Sequence, residues 1–437
     1  MSDHEKLTDG RVIVIGAGVI GSAIALELQR SGRQVVVLDK GDAVGGGSTS
    51  ASSSIIRFTY STLDGVIASW EAMHIWASWS EHLGHVSGPL AEFHRIGMVQ
   101  LSSPDDDLAP MVANFESAGV TYELMDSAAL LARFPALDVG RFHPPKLPSD
   151  PHFFDDANGE VAGLFQPDGG FIDDPQLAAV NLMDAARHHG ATVRLRSCVV
   201  DVLDEDGGVR GVILEDGETI EAPVVVNAAG PWSSQLNALA GVLDDMAIST
   251  RALRQEIAST SAPGDFGVET GGTVLADMDL GAYSRPQAGG SYIIGGVEAD
   301  CDPLEWTDDP DAGSPFPHPE MFEALMYRTA RRLPSLEIPH RPMGLASHYD
   351  VTEDWVPIYD RTCLDGYYMA IGTSGNQFKN GPLVGQIMRR LIDSCETGHD
   401  HDADPVKMEC THTGLTLDLG QFSRNREPAA TGGNVWG

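Results

Sequence analysis

Residues 11–40 constrain the fold of this chain more than any other stretch. They read RVIVIGAGVIGSAIALELQRSGRQVVVLDK. The continuous apolar run 12–15 is typical of a strand in a parallel sheet that is covered on both faces. Glycines follow with the spacing G-x-G-x-x-G, and apolar residues four positions apart then predict one face of a helix. Gly32 ends that helix, residues 34–38 form a second strand, and Asp39 stands at its end.

This order of elements predicts a dinucleotide site, because each part has a physical role. Gly16 allows the tight turn, Gly18 lets the backbone approach a pyrophosphate, and Gly21 lets helix and strand pack closely. The helix N-terminus offers N–H groups and a partial positive charge to the phosphates. An acid about 20 residues further on accepts the ribose hydroxyls. The predicted contacts are Gly16, Gly18, Val19, Ile20, Gly21, Asp39 and Lys40.

Charge and composition exclude several classes of partner. A net charge of −35 without a basic stripe argues against nucleic acid and anionic membranes, both of which would be repelled. The longest apolar runs are of strand length, and the N-terminus lacks the basic start and apolar core of a signal peptide. We therefore expect a cytoplasmic protein. Five scattered cysteines without a CxxC pair, and an HDHD run without matching ligand spacing, predict neither disulfides nor a metal site.

The loop after the second strand favours FAD over NAD as the dinucleotide. Residues 45–61 read GGGSTSASSSIIRFTYS. Small polar residues suit a loop that wraps a pyrophosphate and the edge of a flavin ring, where large side chains would clash. The position of the glycine motif at the start of the chain is also common in FAD proteins. We expect contacts from Ser48, Thr49 and Ser50.

Five segments, in order along the chain, resemble the D-amino-acid oxidase superfamily of flavoproteins and, within it, the sarcosine oxidase branch. They are STSASSSIIRFTY (48–60), GGFIDDPQLAAVNLMDAARHHGATV (169–193), APVVVNAAGPWSSQL (222–236), AYSRPQAGGSYIIGG (282–296) and IGTSGNQFKNGPLVG (371–385). The resemblance implies a discontinuous Rossmann-type FAD-binding domain of α/β class beside an α+β substrate-binding domain built on an antiparallel sheet. It also implies further FAD contacts from Val199, Ala229, Gly230, Trp232, Gly372, Ser374, Gly375, Asn376, Gln377, Phe378 and Lys379.

The predicted domain boundaries follow these segments. The FAD-binding domain is predicted to comprise residues 1–90, 155–240 and 340–395. The substrate-binding domain is predicted to comprise residues 91–154 and 241–339. Residues 396–437 form a polar, glycine-rich C-terminal tail.

The resemblance implies oxidation of a small-molecule amine or amino acid. Hydride passes from the carbon bearing nitrogen to flavin N5, the imine hydrolyses, and O₂ takes the electrons to give H₂O₂. Arg57, which closes the I-I-R motif, matches the arginine that grips the substrate carboxylate, and a guanidinium fork suits that task. Lys379, one of only five lysines, matches the lysine over the flavin face. Tyr283 matches a tyrosine of the substrate-domain hairpin.

Departures from the family pattern affect cofactor attachment and substrate. Ser347 stands where the monomeric sarcosine oxidases attach flavin through cysteine, so bound FAD is expected to be non-covalent. Glu298 replaces an active-site histidine, and Ser54 replaces an arginine of the early loop. An acid at position 298 favours a cationic group on the substrate. Together these changes predict a larger or differently charged amine than N-methylglycine.

Two alternatives remain open at this stage. The same fold can oxidise a hydroxy acid or a polyol phosphate, and some similar chains are flavin-bearing subunits of multi-subunit enzymes. Asn376 and Gln377 stand in place of the usual His-Gly and change the polarity beside Lys379, so oxidase and dehydrogenase both remain possible. The protein could be an oligomer whether it is an oxidase or a dehydrogenase.

Overall fold

The computed structural model describes residues 10–84, 86–102, 106–429 and 435. Parts of the predicted FAD-binding domain (1–9) and tail (430–434, 436–437) lie outside these residues. Elements are numbered along the chain. The α-helices of the described residues are α1 (Val19–Arg30), α2 (Leu63–Ala77), α3 (Trp79–Leu83), α4 (Ala109–Ala118), α5 (Ser127–Arg133), α6 (Pro175–His188), α7 (Ser233–Leu239), α8 (Pro319–Arg332) and α9 (Gly381–Glu396). Among them, none is long and apolar enough to cross a membrane.

A six-stranded sheet carries the predicted nucleotide-binding motif. Its strands, in spatial order, are β20 (Ile358–Arg361), β21 (Tyr367–Ile371), β13 (Val224–Asn227), β1 (Arg11–Ile15), β2 (Gln34–Leu38) and β9 (Thr192–Arg194). All neighbouring pairs are parallel except β20 with β21. Because α1, α6 and α9 pack together on one face and an antiparallel three-stranded sheet covers the other, the strands are apolar on both sides.

A nine-stranded sheet forms the second large unit. Its members are β18 (Glu305–Thr307), β14 (Thr250–Ser261), β17 (Ser291–Gly296), β16 (Ala282–Pro286), β15 (Val274–Asp277), β5 (Met98–Ser102), β7 (Ala162–Gln166) and β6 (Glu123–Met125), with β19 (Gly344–Thr352) also pairing with β14. Only β15 and β5 pair in parallel among these strands, so the sheet is antiparallel in character as predicted. Helix α8 packs its apolar face against β14, β16 and β17.

Three smaller sheets complete the described structure. The three-stranded sheet over the six-stranded one is a meander of β10 (Val199–Glu205), β11 (Gly208–Leu214) and β12 (Thr219–Glu221), and an Asp-Gly pair stands at each of its two turns. A second contains β3 (Ile55–Ile56), β8 (Gly170–Ile172) and β4 (Phe93–His94). The third is the hairpin of β22 (Lys407–Glu409) and β23 (Thr416–Asp418).

Two strands lie across the predicted domain boundaries. Strands β7 and β19 fall in segments assigned to the FAD-binding domain, yet both pair within the nine-stranded sheet. The chain therefore crosses between the two large sheets inside these segments. The sheet that a strand joins depends on contacts with distant segments. The local residue pattern does not encode it, because the same pattern of apolar and polar residues suits a strand in either sheet.

The segment after α9 packs on the FAD-binding domain. Val406, Leu417 and Phe422 are buried in the same core as α1 and α9. Arg424, whose side chain is 3% exposed, forms ion pairs with Asp245, Asp360 and Asp402 at 2.6–3.1 Å. The HDHD run thus contributes an acid to this ion-pair cluster. Residues 405–424 consequently behave as part of the domain and not as a loose tail.

Arg424→Met is expected to lower the free energy of unfolding by about 3 kcal/mol. The reason is that removing one partner of a buried ion cluster leaves buried carboxylates without a counter-charge. Arg33→Met is the matched control, because Arg33 pairs with Asp393 near the surface, where loss costs less than about 1 kcal/mol. Urea unfolding followed by circular dichroism measures both. Equal losses for the two variants would contradict the structural role of Arg424.

Candidate active site

A cleft of about 550 Å³ opens at the carboxyl ends of β1, β2 and β13 and reaches towards the nine-stranded sheet. Open sheets with parallel strands bind ligands at this edge. Of the residues predicted from sequence, those lining the cleft are Gly16, Gly18, Val19, Ile20, Asp39, Lys40, Ser48, Thr49, Arg57, Val199, Ala229, Gly230, Trp232, Tyr283, Gly375, Asn376, Gln377, Phe378 and Lys379. Gly21, Ser50, Glu298, Gly372 and Ser374 are predicted site residues that do not line it.

The glycine turn leaves the N-terminus of α1 open to the cleft. Gly16 has φ +111°, and a Cβ there would lie 2.2 Å from the carbonyl oxygen of Ala228. A Cβ on Gly21 would lie 1.9 Å from the carbonyl oxygen of Gly16, so Gly21 serves helix–strand packing. Gly18 begins the helix without a side-chain cap. The N–H of Val19 donates to the Thr49 hydroxyl at 3.0 Å, and the next N–H groups of the first turn of α1 are those that a pyrophosphate would meet.

Gly16→Ala is expected to remove most bound FAD, whereas Gly32→Ala retains it. Both glycines have positive φ, so alanine is strained at either position. The difference is steric: no described atom lies within 4 Å of a Cβ at Gly32. Visible absorbance per chain measures FAD content, and circular dichroism checks that each variant is folded. If folded Gly16→Ala binds as much FAD as Gly32→Ala, the close contact between Gly16 and the backbone of Ala228 is not needed for FAD binding.

Asp39 and Lys40 lie at the end of the cleft predicted for the ribose. The Asp39 carboxylate accepts N–H bonds from Ala17 (2.6 Å) and Gly41 (2.7 Å), which ties the two turns together. Lys40 pairs with Asp311 at 2.6 Å and lies 3.9 Å from the centroid of the Trp232 ring. Asp39 therefore orders the surrounding backbone, and its remaining lone pairs are available to ribose hydroxyls.

The serine-rich loop and the closing segment 371–379 both contribute residues to the wall of the cleft. Ser48 donates to the carbonyl of His348 at 2.8 Å, while Ser50 is exposed and bonds only within its own turn. Gly372 donates its N–H to the Asp350 carboxylate at 2.6 Å. Ser374 lies behind the wall, and its backbone φ of +46° is in the left-handed region. Burial raises the pKa of Asp350 to about 7.

Lys379 is buried beneath the cleft in the turn before α9. Its Nζ donates to the Tyr60 hydroxyl at 2.9 Å and to the carbonyl of Asn376 at 2.5 Å. Its own carbonyl accepts from the Trp76 indole N–H at 2.6 Å. Burial, and then the charge of Arg57, lower the pKa of Lys379 well below its usual value. An anion entering the cleft would restore the charged form.

Arg57 lies on the same wall as Lys379, and Tyr60 contacts both. The Arg57 guanidinium is 5.2 Å from the centroid of the Tyr60 ring. It donates to the Thr59 hydroxyl at 2.8 Å and to the carbonyl of Val435. Burial lowers the pKa of Arg57 to about 10. A buried guanidinium that donates to a carbonyl inside a cleft has the geometry for binding a carboxylate.

Tyr283 and Glu298 approach the same end of the cleft from the nine-stranded sheet. The Tyr283 hydroxyl lies 2.6 Å from the Ser53 hydroxyl. Glu298, at φ +54°, accepts from the Gln255 side chain at 3.0 Å and from the Val435 N–H at 2.9 Å. Burial raises the pKa of Glu298 to about 8. Glu298 is thus placed behind Val435 and not on the open surface of the cleft.

Sequence reasoning missed three residues of this region. Tyr60 bridges the two cations, Tyr349 lies against the backbone of Gly375, and Val435 reaches the cleft from the end of the chain. Tyr60 stands three residues after Arg57 in the segment 48–60, and Tyr349 stands two residues after Ser347, so both lie beside positions that the sequence already marks. No local pattern marks Val435.

The fold and cleft define a dinucleotide-binding protein with a buried, cationic pocket at one end. A family model described as FAD dependent oxidoreductase (DAO) matches residues 11–391, and the chain belongs to this family. It is therefore an FAD-dependent oxidoreductase, and the predicted fold class, superfamily and cofactor are confirmed. The open α1 N-terminus and the glycine turn with no room for a Cβ fit the pyrophosphate of FAD.

Three known proteins illustrate the likeness. The chain is 24% identical over 396 residues to glycine oxidase of Geobacillus kaustophilus (strain HTA426), covering 89% of this chain and 94% of that protein. It is 28% identical over 239 residues to a probable sarcosine oxidase of Arabidopsis thaliana, covering 53% and 52%. The solved L-proline dehydrogenase from P. horikoshii superposes with a TM-score of 0.72 at 23% identity, covering 95% and 97%.

Proposed function

We propose that this protein oxidises the C–N bond of an amino acid or secondary amine. The observation that carries the proposal is the pair of buried cations, Arg57 and Lys379, joined by Tyr60 at one end of the FAD cleft. The names of the similar proteins, glycine oxidase and probable sarcosine oxidase, support an amine substrate. When bound, FAD supplies the two-electron acceptor.

Residues of the chain bind the substrate, orient it and close the pocket around it. Arg57 holds the substrate carboxylate in one plane and so orients the carbon to be oxidised. Tyr283 closes the pocket from the substrate sheet, and burial raises the pKa of its hydroxyl, which keeps it a proton donor. Burial raises the pKa of Glu298 to about 8, and its carboxyl group supports the pocket from behind by accepting the N–H of Val435 and the side-chain amide of Gln255.

Lys379 supports O₂ as the final electron acceptor. Its ammonium group would stabilise negative charge that develops in the cleft, where the low dielectric strengthens the interaction. The Lys379 nitrogen is buried and hydrogen-bonded to Asn376 and Tyr60, so its position is fixed before an anion enters the cleft and restores its charge. Attachment of FAD is proposed to be non-covalent, and acid denaturation should release free yellow cofactor.

Anaerobic reduction of the purified protein tests the proposal. A panel of N-methyl, D- and L-amino acids is expected to bleach the visible band, and the colour is expected to return rapidly with peroxide when air is admitted. Bleaching by 2-hydroxy acids but by no amine would contradict amine oxidation. A band that stays bleached in air would contradict O₂ as acceptor. Gel filtration of the active species checks that the chain needs no second subunit.

A further inference from the structure

A turn from the nine-stranded sheet reaches across the cleft at the end predicted for the ribose. It follows β18 and contains residues 308–311, which read DDPD. Asp311 lines the cleft from this side, whereas Lys40 and Trp232 line it from positions that follow β2 and β13 of the six-stranded sheet. Lys40 Nζ lies 2.7 and 2.6 Å from the two carboxylate oxygens of Asp311. The two large sheets are therefore connected across the cleft at this point.

Trp232 makes this contact more than a single surface ion pair. Its indole N–H donates to the Asp311 carboxylate at 3.0 Å, and its ring centroid lies 3.9 Å from Lys40 Nζ. The ring thus meets the cation with its face and the anion with its N–H. A lone exposed ion pair contributes little, because two long side chains must be ordered to form it. Here the partly buried Trp232 ring provides part of that order.

The turn that carries Asp311 is fixed at its base. The Asp309 carboxylate accepts the N–H of Asp311 at 3.1 Å. Just beyond the turn, Arg254 donates to the carbonyls of Ser314 at 3.1 Å and Phe316 at 2.8 Å. Arg254 belongs to β14, and its side chain is only 5% exposed. The nine-stranded sheet therefore holds Asp311 in place opposite Lys40.

A second hydrogen bond crosses the cleft beside the first. The side-chain amide of Gln235, on α7, donates to the carbonyl of Asp308 at 3.1 Å. Gln235 also lines the cleft. Lys40 directly follows Asp39, the acid predicted to bind the ribose hydroxyls, so both connections lie at the same end of the cleft.

We propose that Asp311 closes the ribose end of the cleft over bound FAD by pairing with Lys40 and Trp232, and that FAD leaves only after this contact opens. The contact of these three side chains is called the latch. Because only the open form releases FAD, the release rate scales with the fraction of molecules in which the latch is broken. The proposal concerns retention of the cofactor and requires no particular substrate.

The rate of FAD release tests the latch. The holoenzyme is diluted into buffer with a phosphodiesterase that cleaves free FAD, and the visible absorbance retained with the protein on a size filter is followed over time. Asp311→Asn keeps the side-chain shape but removes the charge, and Lys40→Met keeps the stem but removes the ammonium. Each is expected to speed release about fivefold, the effect of losing a carboxylate that has two partners. The double variant should release FAD no faster than either single variant, because all three lack the same contact.

The matched control is Asp184→Asn. Asp184 pairs with Arg187 on α6 at 2.9 Å, both side chains are partly exposed, and neither lines the cleft. Its release rate should equal that of the unsubstituted protein, and circular dichroism checks that every variant is folded. Raising NaCl from about 0.05 M to about 0.5 M should speed release from the unsubstituted protein more than from Asp311→Asn, because salt screens an exposed ion pair.

Three outcomes would overturn the inference. Release from Asp311→Asn at the rate of the unsubstituted protein would mean that the contact does not retain FAD. Faster release from Lys40→Met together with slower release from Asp311→Asn would mean that Lys40 binds the cofactor phosphates and Asp311 competes for it. Multiplied effects in the double variant would mean that the two residues act separately. Faster release from both single variants of a protein that no amine reduces would support the latch while rejecting the proposed function.

Discussion

Lys379→Met is expected to slow the reoxidation of the reduced protein by air about 100-fold or more, with FAD content unchanged. Methionine keeps an unbranched apolar stem of similar length but removes the group that donates to Tyr60 and Asn376. Removing one preorganised charge-stabilising donor from a buried site costs about 100- to 1,000-fold in rate. Stopped-flow mixing of the anaerobically reduced protein with aerated buffer, followed by the return of the visible band, measures the effect.

The control for this substitution is Lys407→Met. Lys407 is exposed and lies 3.8 Å from Asp418 on the hairpin far along the chain, so its loss changes net charge by the same amount without touching the cleft. Unchanged reoxidation is expected for it. Equal reoxidation rates in Lys379→Met and the unsubstituted protein would leave Lys379 with a purely structural role in the turn before α9.

Arg57→Met is expected to raise KM for a carboxylate-bearing amine about 100-fold or more, with a smaller effect on kcat. Two charge-assisted hydrogen bonds to the substrate are lost, each worth about 1.5–3 kcal/mol. Arg57→Lys keeps the charge but not the planar fork, so an intermediate KM is expected. Steady-state kinetics over a series of amines, with and without a carboxylate, separates this role from general damage to the pocket.

Arg251→Met serves as the comparison, because Arg251 is half exposed and pairs with Asp308 on the surface. Its KM should match that of the unsubstituted protein. If Arg57→Met raised KM equally for amines that lack a carboxylate, the guanidinium would be shaping the pocket and not binding an anion.

Much of the nucleotide half of the site was predictable from local sequence. Gly16 has a positive φ and lies against Ala228, which follows the adjoining strand. Gly21 lies against the backbone of Gly16, five residues earlier in the chain. The strand 34–38 and the helix starting at Pro175 appear where periodicity and the Asp-Pro start predict them. These features depend on φ/ψ preferences and periodicity, which residue types encode directly.

The substrate end was predictable only in part. Arg57, Tyr283 and Lys379 could be proposed as cleft residues because each stands in a recognisable segment, and the structure places all three along the cleft. Glu298 could be proposed too, but its neighbour could not, since Val435 is 137 residues away along the chain. Gly372 and Ser374 look like cofactor contacts in sequence, yet they support the wall through Asp350.

The sequence by itself determined the class of the protein: a strand–glycine–helix motif for a dinucleotide, a serine-rich loop that favours FAD, and segments of one superfamily in order. Only the tertiary structure decided which sheet β7 and β19 join, how Arg424 anchors the last segment, and that Val435 lies between Arg57 and Glu298. The physical reason is distance along the chain. Backbone preferences act between near neighbours, whereas strand pairing and buried ion pairs depend on packing between segments that are tens to hundreds of residues apart.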